Sequence, residues 1–593
     1  MSSPILARVL SNIYLPPVEG FSMHHFGDYF PPEQVKPRWL AEMERRSLAS
    51  ILPLIPTSEF PDILVIASPE YLPIPVDVHT FPGLKILLIT DWNVCLRFLP
   101  ALCPLFDYCF TDWPGYRLLK RSGVANIHHQ ALFGYDPNVF KIQNINRNLD
   151  VSFCGNLNAS LHGERNRLLA RLAVWGKNTS RLIHLKQAFA EAYVEILNRS
   201  CIVFNYSIRS EANMRLFESM AMGAVALVEE DNQEVAILFQ EGKHYFKYAP
   251  GRIEERLNAL LASPEKLAEV SLAAKEAVKR HTKSIQLQTL LEMVCKNAPS
   301  ILPSNIQKNL KTPTRAQGEK ALIKLRILGA GFSTKESMEE LEFHSRTHQG
   351  LEQETLVATL LTLLEKNQGE SLPAVETLLE HFLNTPILPA LLREFMSMKF
   401  AVLRSDWTKT LDFAEKCRAI LATLNSESTE LNPFYAYFYS PLDLGKGVNS
   451  DLNQIFRHHL TTGGHEAYLE WMKAHCDADM GKAYLSLGSP ADALRHLVNI
   501  PLGKFSSLNL FDTLLSALLG IGDKENIRRI AKDYFSLQPL DTALWDKIFN
   551  AYTAIGEKPE KISFLNEISI LAETFLTPEQ AAYVNTLLAQ ELT

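Results

Sequence analysis

Short, unbroken apolar runs bounded by proline, glycine or aspartate recur in the first quarter of the chain, at 62–67 (DILVIA), 84–90 (LKILLIT) and 108–111 (YCFT). Runs of about five residues without polar alternation fit strands covered on both faces, as in a parallel sheet between helices. Helical spacings separate them, so residues 1–140 read as one α/β unit. Gly134 and Pro137 break the pattern within 133–140, and the charged, Asn-rich stretch 141–148 reads as a connection between domains. The pattern then restarts. A strand at 150–154 runs into Gly155 and Asn156, a helix begins near Glu164, and a strand follows at 201–205. A helix from Asn213, a strand at 224–228 and two amphipathic helices over 252–262 and 264–281 complete a second α/β unit, 149–297.

Residues 298–320 differ in kind, with Pro299, Pro303 and Pro313 among Ser, Asn, Lys and Thr, and read as a linker. From 321 to 593 leucine and alanine recur at three- and four-residue spacings, the mark of an all-α domain. Gly488, Gly522 and Gly556 end helical stretches at equal intervals of 34 residues, which is the tetratricopeptide period. Met480, Gly481, Tyr484 and Ala493 take the small and aromatic positions of one such repeat, and Trp545, Ile548 and Tyr552 those of another. Pro539 stands where one repeat closes before the next aromatic opens, and Ser405, Asp406 and Trp407 begin an earlier, less regular copy. The fold class expected is therefore two Rossmann-like α/β domains followed by a tetratricopeptide-like helical domain.

Composition narrows the function classes. With 593 residues, 47% hydrophobic and 21% charged, the chain is ordinary globular material for several cores. A net charge of -7 offers no global basic field for a nucleic-acid backbone. The eight cysteines lie scattered without metal-ligand spacing, which points to a reducing compartment and no structural metal. Pro16 and Pro17 cut short the only apolar run near the start, and no run reaches the ~18 residues of a membrane span, so a cytoplasmic location is expected. No GxxxxGK[ST], HExxH or GxSxG occurs, which leaves nucleotide-triphosphatase, zincin and serine-hydrolase readings without their parts.

The richest segment for chemistry is 209–223, a polar loop opening a helix that ends at Gly223 before a strand. Loop amides and a helix N-terminus suit a diphosphate, and Arg209 and Arg215 add charge-assisted bonds. Glu218 is placed to accept both ribose hydroxyls of a nucleotide. The same residues taken alone also fit an ordinary amphipathic helix with Arg215 and Glu218 paired. In order, though, the segments resemble the GT-B glycosyltransferases, and within them the spore maturation (CgeB-like) family. Val151 to Gly155 resembles the strand that opens that family's second domain, and Glu164, Arg165 and Arg167 its Arg-containing helix. Asn213, Arg215, Phe217 and Glu218 meet its Asn-x-Arg-x-Phe-Glu pattern, and His281-Thr282 follows the closing helix.

The resemblance covers 60–296 and implies a nucleotide-sugar donor, UDP-sugar favoured, bound by the second domain without metal or cofactor. Gly155, Asn156, Arg209, Asn213, Arg215 and Glu218 are then the donor-binding candidates. Glu211 and Glu218 have six residues between them where retaining relatives have two glutamates with seven between, so Glu211 keeps no assigned role. Proton-transfer candidates are Asp91 at a strand end and His24 and His25 in the early loop after Gly20. The repeats suggest a protein acceptor or partner, as in flagellin glycosyltransferases, or a homo-oligomer. The alternatives are a catalytically inactive scaffold and, on the same fold, a nucleotide-sugar epimerase or hydrolase.

Overall fold

The structure, a computed structural model, describes residues 6–26, 47–72, 74–75, 77–96, 99–157, 162–297, 390–425, 466–501 and 510–592. The expected linker 298–320 and the stretch 321–389 lie outside them.

Two wholly parallel sheets form the first half. One contains Ala7–Ser11 (β1), Phe21–His25 (β2), Ile63–Ala67 (β3), Leu84–Ile89 (β4), Tyr108–Thr111 (β5) and Ile127–His129 (β6), in the order β2-β1-β3-β4-β5-β6. Every residue of β3 and β4 is buried, as two covered faces require. The sequence pattern did not show β1, β2 or β6. They carry Arg8, Ser22 and the histidines 24, 25, 128 and 129, so no continuous apolar run marks them. His24 and His25 thus lie on a strand at the sheet edge rather than in a loop. The other sheet contains Leu149–Ser152 (β7), Ile183–His184 (β8), Ser200–Phe204 (β9), Val225–Glu229 (β10) and Phe246–Tyr248 (β11), in the order β11-β10-β9-β7-β8.

The chain crosses between the sheets twice, side by side. Tyr135 donates its N–H to the His281 carbonyl (3.3 Å), and Lys283 donates to the Tyr135 carbonyl (3.0 Å). Gly134 permits this approach, since a Cβ there would lie 2.5 Å from the His281 oxygen. The His281 ring packs against Phe217 and Phe239, at 5.6 and 5.0 Å between centroids. After the second crossing, helix Lys283–Asn297 lays Leu287, Leu290, Leu291 and Val294 on Val9, Val65 and Ile86 of the first sheet. The sequence pattern counted this helix with the second unit; its apolar stripe completes the core of the first.

The C-terminal part is helical: Ala390–Leu403, Trp407–Leu421, Glu466–Ser486, Pro490–Leu497, Phe511–Ile521, Lys524–Leu537, Thr542–Ile555, Lys558–Phe575 and Pro578–Leu592, each packed on the next among those described. Gly488, Gly522 and Gly556 all take left-handed backbone, with φ of 81, 73 and 74°. Their 34-residue spacing therefore reflects one job done three times, reversing the chain after a helix. Gly481 serves a close approach: a Cβ there would lie 2.5 Å from the Leu497 side chain. Trp545 donates its Nε1–H to the Pro539 carbonyl (2.8 Å), tying one hairpin to the next.

These helices dock on the second sheet's domain through helix Gly163–Thr179, against which 524–537 and 558–575 pack. Lys177 pairs with Glu573 (2.9 Å), and Lys186 donates to the Leu576 carbonyl (3.4 Å). A groove of about 700 Å³ remains along this contact, lined by Trp175, Arg171 and Pro250 on one side and Phe535, Pro539 and Glu567 on the other. Among the described residues no helix is long and apolar enough to cross a membrane.

Candidate functional site

Ligands of open parallel sheets bind beyond the carboxyl ends of the strands. Past the end of β7, Phe153, Cys154 and Gly155 meet two arginines from two helices. Arg215, second residue of helix Met214–Ala221, donates its Nε–H to the Cys154 carbonyl (2.9 Å), and its guanidinium lies 4.3 Å from the Phe153 ring centroid. Arg165, third residue of helix 163–179, lies over the same ring at 5.1 Å and donates to the Asn156 carbonyl. Gly155 makes room, because a Cβ there would stand 2.6 Å from Arg215 Nη2.

Both guanidiniums are left with work undone. Arg215 Nη1, Arg165 Nε and His162 Nδ1 are buried without a hydrogen-bond partner among the described residues. Burial, and then the like charge of Arg215, lower the Arg165 pKa to about 9. Burial and both arginines push His162 down to about 3, so its imidazole is neutral. Buried cations that repel each other are costly unless an anion joins them. Helix 163–179 also begins without a side-chain cap, so its first amides point toward the same end. Chemically, the arrangement can take an anion with several acceptor oxygens.

The remaining donor candidates are used differently. Asn213 caps its helix, its Oδ1 accepting from the Leu216 N–H (3.3 Å). Glu218 is buried, accepts the Tyr193 hydroxyl at 2.7 Å and has its pKa raised by burial. Arg209 crosses to the first domain, where it donates to Asp91 Oδ1 (2.5 Å), Asn93 Oδ1 (3.0 Å) and the Thr90 carbonyl (3.2 Å), with Asp112 at 3.5 Å and Glu211 at 3.6 Å. The structure thus joins Arg209 to Asp91 and leaves Arg215 with Arg165. Around Arg209, Asp112 rises to about 8 through burial, opposed by Arg209 and reinforced by Glu234 and Glu211. Glu234 makes a second tie, accepting from His129 (2.8 Å), the Trp113 N–H (3.2 Å) and the Ala212 N–H (2.7 Å).

Among the proton-transfer candidates, Asp91 lies at this junction, its second oxygen taking the Tyr71 hydroxyl at 2.6 Å. His24 and His25 are not brought there. Two strands, β1 and β3, separate β2 from β4. His25 accepts the Leu15 N–H (3.0 Å), and His24 lies 3.3 Å from the Ser22 hydroxyl.

Sequence reading passed over His162 and Glu70 and gave Arg165 no role. Glu70 is buried just past the end of β3, after Ser68 in left-handed backbone with φ of 53°. Its Oε1 accepts the Thr90 hydroxyl and the Asp91 N–H (2.7 Å), while Oε2 has no partner among the described residues. Burial, then the Asp91 charge, raise its pKa to about 7. A strand-end rule applied to β3 as it was to β4 finds Glu70. Nothing local finds His162.

Residues 147–292 match the model of a family described as glycosyl transferase-like. No curated protein matches the chain. Among solved structures, the HepE protein of Anabaena in complex with UDP-glucose is similar over 49% of this chain and 100% of its own, at 12% identity and a TM-score of 0.36. A glycosyltransferase from Rickettsia africae is similar over 49% of this chain and 99% of its own, at 11% identity and a TM-score of 0.37. TarM is similar over 40% of this chain and 55% of its own, at 10% identity and a TM-score of 0.32, so the chain spans a little over half of TarM's length. The part of the chain that carries β7 to β11 and both unpaired arginines is, in sequence, similar to the glycosyl transferase-like family.

Proposed function

We propose that this protein is a glycosyltransferase that moves a sugar from a nucleoside-diphosphate sugar to an acceptor hydroxyl, with the diphosphate held between Arg165 and Arg215. The observation that carries the reading is the pair of guanidiniums sharing the Phe153 ring, Arg165 buried and Arg215 half-buried, each with a buried nitrogen unmet and no carboxylate paired to it among the described residues. The family match contains both. Gly155 and Asn156 supply the loop that approaches the phosphates, and Asn213 holds open the helix start beside them. Glu218 is the ribose acceptor, its carboxylate already oriented by Tyr193. Two arginines and a helix end balance the diphosphate charge, so the reading needs no metal.

The 34-residue hairpins are tetratricopeptide-like, and a protein acceptor or partner gripped by them fits their stacked form. A non-catalytic scaffold is the second reading, favoured by Asp91, whose two oxygens are both taken. Against it stand the buried Arg165 and the half-buried Arg215, neither paired with a carboxylate among the described residues, a repulsion that costs stability in a protein that binds no anion.

Calorimetry with UDP, GDP and TDP tests the proposal. Arg165→Gln and Arg215→Gln should each weaken the preferred nucleotide at least about tenfold, the worth of one charge-assisted bond. Unchanged affinity in both variants sinks the donor site.

A further inference from the structure

We infer that Glu70 is the proton acceptor for the hydroxyl that attacks the donor sugar. The inference rests on the donor reading above. With the donor held by the second domain, the attacking hydroxyl must arrive from the facing wall, the carboxyl ends of β3 and β4. The two walls lie within electrostatic reach, since Asp91 of the first acts on His162 of the second. In the reaction, the acceptor oxygen bonds to the anomeric carbon as the carbon–oxygen bond to the diphosphate breaks. The leaving pair goes to the diphosphate, and the hydroxyl proton goes to Glu70 Oε2.

Of the carboxylates near this junction, the others have their oxygens engaged. Asp91 is held by Arg209 and Tyr71. Asp112 takes the Trp92 indole N–H (2.7 and 2.9 Å) and the Gly115 N–H (2.8 Å). Glu211 accepts the Arg209 backbone N–H (2.7 Å), and Glu234 has three donors. Glu229 also has an unmet oxygen, but it stands at the end of β10 in the second sheet, next to the strand end carrying Asn205, whose amide is unmet too. It belongs to the donor wall.

Glu70 has one oxygen fixed by Thr90 and the Asp91 amide, which sets the plane of the carboxyl, and one buried oxygen without a partner among the described residues. Beside it stand Asp91, whose N–H it accepts, and the more exposed Tyr71, bonded to Asp91. The charged and titratable groups facing it are Asp91, Tyr71 and, through Asp91, Arg209. Burial and Asp91 bring its pKa to about 7, where a carboxylate is both available and basic enough to be useful.

The test is Glu70→Gln in the full chain, read two ways. With UDP-glucose as probe, and water or acceptor as nucleophile, kcat should fall at least about a hundredfold while KM holds. The wild-type rate should rise with pH through about 7, and the variant should lose that limb. Thr90→Val, which removes a donor that favours the ionised form, should move the limb to higher pH. A limb that persists in the Gln variant overturns the assignment.

The second reading needs no turnover. A carboxyl whose pKa is raised by folding costs stability once pH exceeds its unfolded value, and the cost is complete above about 7. Glu70→Gln should therefore melt higher than wild type at pH 8 and no higher at pH 5. An equal loss at both pH values makes Glu70 a structural acceptor only and overturns the inference. If the wild type binds no nucleoside diphosphate, the donor reading fails, while the melts still judge Glu70.

Discussion

A residue's identity in the sequence says little about which of its atoms are engaged. Arg209 and Arg215 lie in one loop-helix segment and look alike there. One is consumed by carboxylates 97 and 118 residues away, and the other keeps an Nη1 without a partner among the described residues. Arg165 reads as one charge on an amphipathic helix until Phe153 and Arg215 are placed beside it. Arg215 and Glu218 were legible because they sit in an ordered motif; His162 and Glu70 were not, because burial by distant chain gives them their chemistry. At this scale Glu218 is separable from the arginines. Glu218→Ala should weaken UDP about tenfold in calorimetry by losing the ribose hydrogen bonds. Inorganic pyrophosphate should bind as before. Equal loss of both ligands means Glu218 merely supports its helix.

At the level of elements, β3, β4, β5, β7, β9 and β10 were readable from apolar runs, since strands covered on both faces have no polar alternation to confuse them. Polar residues interrupt β1, β2 and β6, which left no such run. In the helical part the equal glycine spacing was visible, and the backbone explains it. Gly522, at φ of 73°, has open space where a Cβ would go, so Gly522→Ala should cost about 1–2 kcal/mol through backbone strain alone. Gly481 is the opposite case, with helical backbone and a crowded Cβ site. Gly481→Ala should cost about 1–3 kcal/mol by overpacking against Leu497. Urea unfolding should show a lower midpoint for both, and relief by Leu497→Ala in the Gly481 variant only.

For the whole molecule, nothing in the sequence pattern marks which distant parts touch. Helix 283–297 belongs to the first sheet's core, and Arg209 bolts the two α/β halves together, because both arrangements depend on residues far apart in the chain. Removing that bolt leaves Asp112 buried without its cation. Arg209→Met should destabilise the protein by about 3–5 kcal/mol. The penalty should be largest above about pH 8 and shrink as pH falls to it, since Arg209 holds the Asp112 carboxyl below where burial alone would put it, and at lower pH the carboxyl is protonated in both proteins. Thermal melts between pH 5 and pH 9 would show it, and a penalty independent of pH would place the loss in packing.

Helix 163–179 offers its first turn to the anion site and its flank to the C-terminal helices, with the groove of about 700 Å³ alongside. One rigid rod therefore has two readers. In the donor-site proposal, a guest in the groove and the anion at the arginines are coupled wherever both favour the same setting of the rod. That coupling is reciprocal, so by the same free energy the anion then alters how tightly the guest is kept.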